Sequence, residues 1–109
     1  MIAPIEQKRH KLAQLCRQFK VERLDLFGSA SKDYFQADKS DLDFIVRFAD
    51  RSPGTYLDRY LDFAEALERL FERRVDLLTE KSIRNPYFRR EVEATRQPIY
   101  ERRNEEAAA

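Results

Sequence analysis

The octapeptide Asp41–Phe48, DLDFIVRF, carries the strongest β-strand signal in the chain and constrains the fold more than any other stretch. Successive side chains of a strand point to opposite faces, so Leu42 and Phe44 are expected to enter a core. The carboxylates of Asp41 and Asp43 then lie together on the other face. Any fold of this chain therefore has to pack this strand against a core while an acidic pair stays on its opposite side.

Segments with helical and strand-like periodicity alternate along the rest of the chain. A first helix is expected over residues 4–19. A serine-proline pair at 52–53 and an asparagine-proline pair at 85–86 each indicate an N-cap followed by proline at the first helical position. The helix that begins at 52–53 is expected to end at about Arg73. Further strands are expected at Arg23–Phe27, Val75–Leu78 and Pro98–Tyr100. The order α-β-β-α-β-α-β predicts a small α/β or α+β domain, a mixed β-sheet flanked by helices.

Length and composition predict one domain over residues 1–103 and a disordered tail over 104–109. No apolar run is long enough to cross a bilayer, and the charged N-terminus does not match a signal peptide. The net charge of +1 gives no overall field that would attract nucleic acid. The single cysteine excludes an internal disulfide and fits a reducing compartment. We therefore expect a cytoplasmic protein without direct membrane or nucleic-acid contact.

The acidic pair of Asp41 and Asp43 predicts a metal site. Two like charges that lie close together repel, and each raises the pKa of the other unless a cation compensates. Carboxylate oxygens are hard ligands that suit Mg²⁺, with Mn²⁺ as a second choice. The same pattern also fits two polar residues exposed to water where a strand begins, so the metal interpretation depends on support from elsewhere in the chain.

Two further features give that support. Gly28-Ser29 follows a strand, and glycine lets a phosphate approach the backbone while Ser29 offers a hydroxyl and an N–H, although such pairs are commonly plain turns. Asp76 is the only charge in VDLL, a strand that is expected to be buried. A buried carboxylate without a partner is costly, which favours a functional role. Taken alone, Asp76 also fits a polar residue on an open face of the strand. If its strand lies beside that of Asp43, three carboxylates converge, which is enough for two metal ions in an in-line phosphoryl-type displacement. Asp25, which alternates with two leucines, could join this acidic cleft.

The stretches FGSA, SDLDFIV and RRVDLL together resemble the nucleotidyltransferase superfamily of DNA polymerase β. More narrowly, the chain is similar to the smallest members, the minimal nucleotidyltransferase (MNT) domains, over residues 8–101. The resemblance implies the nucleotidyltransferase fold. It also implies that Gly28 and Ser29 hold the triphosphate of ATP, and that Asp41 and Asp43 bind two Mg²⁺ ions.

The same resemblance implies roles for two more residues. Asp76 would share one metal ion and help to deprotonate the attacking hydroxyl, since a base must lie near the proton it removes. Lys32 stands near the place where many MNT domains have an Arg-Gly pair, and it could supply a cation without the bidentate grip of arginine. Residues 30–40 make the spacing from Ser29 to Asp41 one residue longer than is usual. The implied reaction is attack on the α-phosphate, transfer of a nucleotidyl group and loss of pyrophosphate.

A partner protein is also implied by the resemblance. MNT domains are above all antitoxins of two-gene modules whose toxins are HEPN-family ribonucleases. The antitoxin transfers AMP from ATP to a tyrosine of the toxin and so neutralises it. Two alternatives remain open: a non-catalytic antitoxin that acts by binding the toxin, and a stand-alone transferase that modifies a small hydroxyl compound.

Overall fold

Within residues 3–28, 41–49 and 53–102, which the computed structural model describes, four α-helices and four β-strands follow one another. The helices are α1 (Ala3–Gln7), α2 (Arg9–Gln18), α3 (Pro53–Phe71) and α4 (Pro86–Thr95), and the strands are β1 (Val21–Phe27), β2 (Leu42–Phe48), β3 (Val75–Thr79) and β4 (Gln97–Glu101). None of these helices is both long and apolar enough to cross a membrane. The predicted fold class is confirmed, while the predicted tail and the predicted N-cap at residue 52 lie outside the described ranges.

The four strands form one mixed sheet in the order β3-β2-β1-β4. β1 pairs antiparallel with both β2 and β4, whereas β2 and β3 run parallel. Parallel neighbours need a long crossover, and α3 provides it. Pro98 lies on the edge strand β4, where a residue without an N–H is tolerated. β1 and β2 are the two central strands, and their alternating side chains contribute to both faces of the sheet.

One face of the sheet carries the larger hydrophobic core. Leu42 and Phe44 are fully buried there, which confirms the orientation predicted from their alternation with the aspartates. Helices α2 and α3 cover this face with residues such as Leu12 and Phe63. The rings of Phe48 and Phe63 meet edge to face with centroids 5.9 Å apart. Burial of each such side chain contributes about 1.5–3 kcal/mol, so this face provides the larger share of the stability.

The opposite face carries a smaller cluster and is covered by α4. Phe27, Ile45 and Val92 are buried there, and the ring of Phe88 packs edge to face on Phe27 with centroids 6.0 Å apart. Asn85 caps α4, because its Oδ1 accepts hydrogen bonds from two backbone N–H groups of the first turn at 2.8 and 3.2 Å. The predicted start of this helix is confirmed, and the helix sets one border of the candidate site.

Two predicted segments differ from the structure. The helix expected over residues 4–19 is divided, because Lys8 has φ −107° and ψ 10°, which departs from helical geometry. The prediction that β3 is buried was wrong. Within this strand only Leu77 is buried, and Asp76 is exposed. Among the strands that the structure describes, β3 pairs only with β2 and so lies at an edge, where less of its surface is covered than in a central strand.

Candidate active site

Asp43 and Asp76 occupy paired positions on the parallel strands β2 and β3. On the other side of Asp43, β1 contributes Phe27 and then Gly28. Neighbouring strands lie about 4.8 Å apart, so paired side chains on one face reach each other. The sheet thus brings together two carboxylates from separate segments at the end of β1, beside the left-handed backbone of Gly28 (the Gly28 turn).

Burial and nearby negative charge raise the pKa of Asp43 to about 6. Loss of hydration around this half-buried carboxyl is the largest cause, followed by the charge of Asp76 and then that of Asp41. A hydrogen bond with Asp76 raises the pKa further. Asp43 therefore lies in a negative potential that would stabilise a bound cation.

The acidic residues of this site fit a metal ion that is bound jointly by protein carboxylates and by the phosphates of a substrate. Asp41 lies immediately before β2 and is exposed. Across the described parts of the chain, no three His, Cys, Asp or Glu side chains are grouped closely enough to hold an ion by themselves. Mg²⁺ is commonly bound by one or two carboxylates and completes its shell with water and substrate phosphates. The donor set of Asp43 and Asp76 fits that type of binding.

Gly28 brings the backbone unusually close to this acidic pair. Its φ of +75° lies in the left-handed region that side chains disfavour. A Cβ built on Gly28 would lie 2.7 Å from Oδ2 of Asp43, which is closer than real contacts allow. Only glycine can therefore occupy the position without displacing the carboxylate, and the turn and the acidic pair belong to one site.

A cleft of about 640 Å³ opens beside these residues, within the range of about 300–1,000 Å³ that small-molecule sites show. Its lining includes Gly28, Asp43 and Asp76 from the sheet and Phe88, Glu91 and Thr95 from α4. A larger cavity of about 790 Å³ lies between β2, α3 and the turn after β3, and it contains none of these carboxylates. The chemistry of the lining, and not the volume, therefore identifies the candidate site.

Sequence reasoning did not place Phe88, Val92 or Thr95 of α4 in the site. Phe88, Val92 and Thr95 recur at helical spacing, which indicates that they share one face of a helix. Periodicity alone does not say which strands that face covers. The packing of α4 against β1 and β2 is what turns this face into a wall of the cleft.

Asp25, the further acidic residue suggested from the sequence, is not part of the cleft. Asp25 lies on the same face of the sheet as Asp43 but does not line the cleft. It is fully buried and forms ion pairs with Arg23 and Arg96, so the suggestion that it joins the acidic cleft was wrong. It lies two residues before Phe27 and pairs with Pro98 of β4, where Arg23 and Arg96 compensate its charge. The predicted nucleotide-binding residues at positions 29 and 32 lie outside the described residues.

Two carboxylates from adjacent strands lie beside a glycine in one cleft, an arrangement that suits a divalent cation together with a phosphate group. The chain belongs to the nucleotidyltransferase domain family, whose sequence pattern matches residues 9–99. The resemblance inferred from the short motifs is thereby confirmed, and the chain is a nucleotidyltransferase.

Individual relatives agree with this assignment. The chain is 36% identical over 86 residues to a Methanocaldococcus jannaschii protein that carries the provisional name protein adenylyltransferase, covering 79% of this chain and 83% of the relative. A solved structure described provisionally as a minimal nucleotidyltransferase has a TM-score of 0.67 and 29% identity, covering 86% of this chain and 91% of that one. A chain from the complex of a tri-AMPylated Shewanella oneidensis HEPN toxin with its MNT antitoxin shares the fold, with a TM-score of 0.60 and 20% identity over 94% of this chain and 77% of that one.

Proposed function

We propose that this chain transfers AMP from ATP to a tyrosine of a HEPN-family toxin in the cytoplasm and thereby acts as an antitoxin. The observation that carries the proposal is the pairing of Asp43 with Asp76 beside the Gly28 turn, in one cleft. The provisional name of the M. jannaschii relative supports transfer to a protein. One chain of a solved complex that contains an AMPylated HEPN toxin shares this fold, and this likeness supports a HEPN-family toxin as the partner.

The triphosphate of ATP would lie against the Gly28 turn. Gly28 has no side chain, so a phosphate can approach the backbone there. Ser29 and Lys32 would donate hydrogen bonds to phosphate oxygens. These contacts would leave the α-phosphate near Asp43, because the turn and that carboxylate already meet in the structure.

Two Mg²⁺ ions, or Mn²⁺ in their place, would be held by Asp41, Asp43 and Asp76 together with phosphate oxygens. When bound, Mg²⁺ neutralises the negative charge that develops on the phosphates and on the departing pyrophosphate. The raised pKa of Asp43 supports the assignment. Burial is the largest cause of the shift, and the charges of Asp76 and Asp41, which add to it, would also attract a cation.

The transfer needs a nucleophile and a base. The hydroxyl oxygen of the acceptor tyrosine forms a bond to the α-phosphorus, and the bond from that phosphorus to the oxygen of the β-phosphate breaks, so pyrophosphate leaves. The hydroxyl proton passes to the carboxylate of Asp76. Asp76 suits this role because it is exposed on an edge strand, where a protein substrate can reach it.

Label transfer tests the proposal. The purified chain is incubated with Mg²⁺, ATP and a HEPN-family protein from the same genome, and we expect label on that protein from α-labelled ATP and none from γ-labelled ATP. Asp43→Asn should abolish the transfer. Asp62→Asn is the matched control, because it makes the same change at an exposed position of α3 outside the cleft.

Two other outcomes would redirect the assignment. A partner that is bound and silenced but never labelled would contradict the transfer and support an antitoxin that acts by binding. Label that appears only on a small hydroxyl compound would contradict the protein target and support a stand-alone transferase.

A further inference from the structure

One hydrogen bond joins the Gly28 turn to the last residue of α4. The Gly28 N–H donates to Oγ1 of Thr95 at 3.1 Å, although the two residues are 67 positions apart. The same hydroxyl donates to the backbone carbonyl of Glu91 at 3.0 Å, within the helix. The Thr95 hydroxyl is therefore used in both directions, as the acceptor for the turn and as a donor to its own helix.

The next residue, Arg96, fastens this end of α4 to the sheet. Its Nε donates to Oδ2 of Asp25 at 2.8 Å, and its guanidinium also pairs with Glu80, just after β3. Asp25 is fully buried and the Arg96 side chain is 13% exposed, so water screens their interaction weakly. Thr95 and Arg96 thus contact two places on the same segment, Gly28 just after β1 and Asp25 within β1.

Gly28 needs an external contact because its own backbone is permissive. Glycine populates positive and negative φ about equally, so nothing in the residue itself selects its φ of +75°. The turn also lies directly against the Asp43 carboxylate. A rotation of the Gly28 peptide would therefore change the distance between the backbone of the turn and Asp43.

We propose that Thr95 is a positioning residue of the active site, whose hydroxyl holds the Gly28 peptide in the orientation that sets the nucleotide phosphates against Asp43. The proposal rests on the nucleotide-binding role proposed above for Gly28. Because Thr95 engages the Gly28 N–H, Gly28 serves the phosphates through its missing side chain and not through its amide. Thr95 itself acts only through the turn and does not touch the reacting atoms.

Three variants test the role of the Thr95 hydroxyl. Thr95→Val removes it at nearly constant volume, Thr95→Ser keeps it, and Thr55→Val makes the same change at an exposed position of α3 outside the cleft. We expect Thr95→Val to lower kcat for AMP transfer by roughly tenfold to a hundredfold, the range expected for an ångström-scale misplacement. Thr95→Ser and Thr55→Val should transfer AMP at close to the wild-type rate.

Two further readouts separate positioning from folding. The number of binding sites for a non-hydrolysable ATP analogue, per mole of protein, should be the same in Thr95→Val and wild type, whereas loss of folded protein would lower it together with kcat. The Gly28 amide should exchange with solvent faster in Thr95→Val than in Thr95→Ser, because only the serine variant retains the acceptor.

The positioning role is overturned if Thr95→Val transfers AMP as fast as an active wild type, or if Thr95→Ser is impaired as severely as Thr95→Val. A fall in binding sites that matches the fall in kcat would also overturn it. A wild type that neither binds nucleotide nor transfers AMP would instead overturn the proposed function, and the positioning role with it.

Discussion

A side chain at Gly28 would collide with Asp43, because a Cβ built on the glycine lies 2.7 Å from Oδ2 of the aspartate. The φ of +75° at Gly28 adds backbone strain for any other residue. We therefore expect Gly28→Ala to lower the free energy of unfolding by about 1–2 kcal/mol, measured by urea denaturation. AMP transfer should fall at least roughly tenfold, because the displaced carboxylate is the one beside the phosphates.

A double-mutant cycle identifies the collision as the cause. Asp43→Ala removes the atoms that the added methyl group would meet. Gly28→Ala should therefore cost less stability in the Asp43→Ala background than in the wild type. Equal losses in the two backgrounds would mean that backbone strain alone accounts for the effect.

The raised pKa of Asp43 predicts that the metal-free protein loses stability as the pH rises. The pKa is about 6 in the folded protein against an ordinary value of 3.8, so folding favours the protonated carboxyl. This stabilising contribution is complete below about pH 4 and is lost as the pH rises through about 6. Near neutral pH we expect Asp43→Asn to be more stable than the wild type by on the order of 1 kcal/mol, since the half-exposed carboxylate is partly screened.

Urea denaturation with a chelator present, across acidic and neutral pH, checks this expectation. Stability of the wild type and of the control Asp62→Asn should decline relative to Asp43→Asn as the pH rises from about 4 through about 6, and should then level off. Parallel stability curves for all three proteins would show that Asp43 titrates alike in the folded and unfolded chain.

Mg²⁺ should act against this loss of stability near neutral pH. Metal binding needs the ionised carboxylate, so the affinity for Mg²⁺ should weaken by up to roughly tenfold per pH unit below about 6. Millimolar Mg²⁺ is expected to raise the Tm of the wild type and to have little effect on Asp43→Asn, because only the wild type binds the ion when folded. An equal rise in both proteins, measured by differential scanning fluorimetry, would place the bound ion elsewhere.

Arg96→Met should destabilise the protein strongly, because it removes one partner of a buried carboxylate. Loss of a partner from a buried ion pair costs about 3–5 kcal/mol. We expect the lower end, about 3 kcal/mol, because Arg23 still contacts Asp25 at 2.8 Å. Adding Asp25→Leu to Arg96→Met should recover part of the loss in urea denaturation, since no charge then remains buried. A single-variant cost below about 1 kcal/mol would mean that the pair behaves as a surface ion pair.

Asn85→Ala should shorten or loosen the start of α4. The Asn85 side chain accepts hydrogen bonds from the N–H groups of Tyr87 and Phe88, which otherwise have no helical partner. Its loss should lower the free energy of unfolding by about 1 kcal/mol, whereas Asn85→Asp should retain the cap. Equal stability of the alanine and aspartate variants in urea denaturation would argue against capping by this side chain.

The features that could be predicted from the sequence are those set by local geometry. Alternation along β2 gave the opposite orientations of Phe44 and Asp43, and the asparagine-proline pair gave the start of α4. The combination of short motifs, and the family resemblance it carries, predicted that Gly28, Asp43 and Asp76 belong together, and the strand register brings them into one cleft.

The features that could not be predicted depend on contacts between distant segments. Arg96 meets Asp25 across 71 positions, and no local pattern distinguishes this buried aspartate from one that lines a cleft. The exposure of Asp76 depends on β3 being the last strand of the sheet, which the order of elements along the chain does not reveal. The role of Thr95 as acceptor for the glycine turn likewise requires knowing where α4 packs.

The distance of 67 positions between Gly28 and Thr95 also orders events during synthesis. A ribosome adds about 5–20 residues per second, so the glycine turn is made roughly 3–13 seconds before the helix that holds it. The antiparallel pairing of β1 with β4 likewise forms only after β4 has been synthesised. A nascent chain that ends before α4 already contains both carboxylates and the glycine turn. We expect it to be inactive, and to begin to consume ATP only after α4 and β4 have been synthesised.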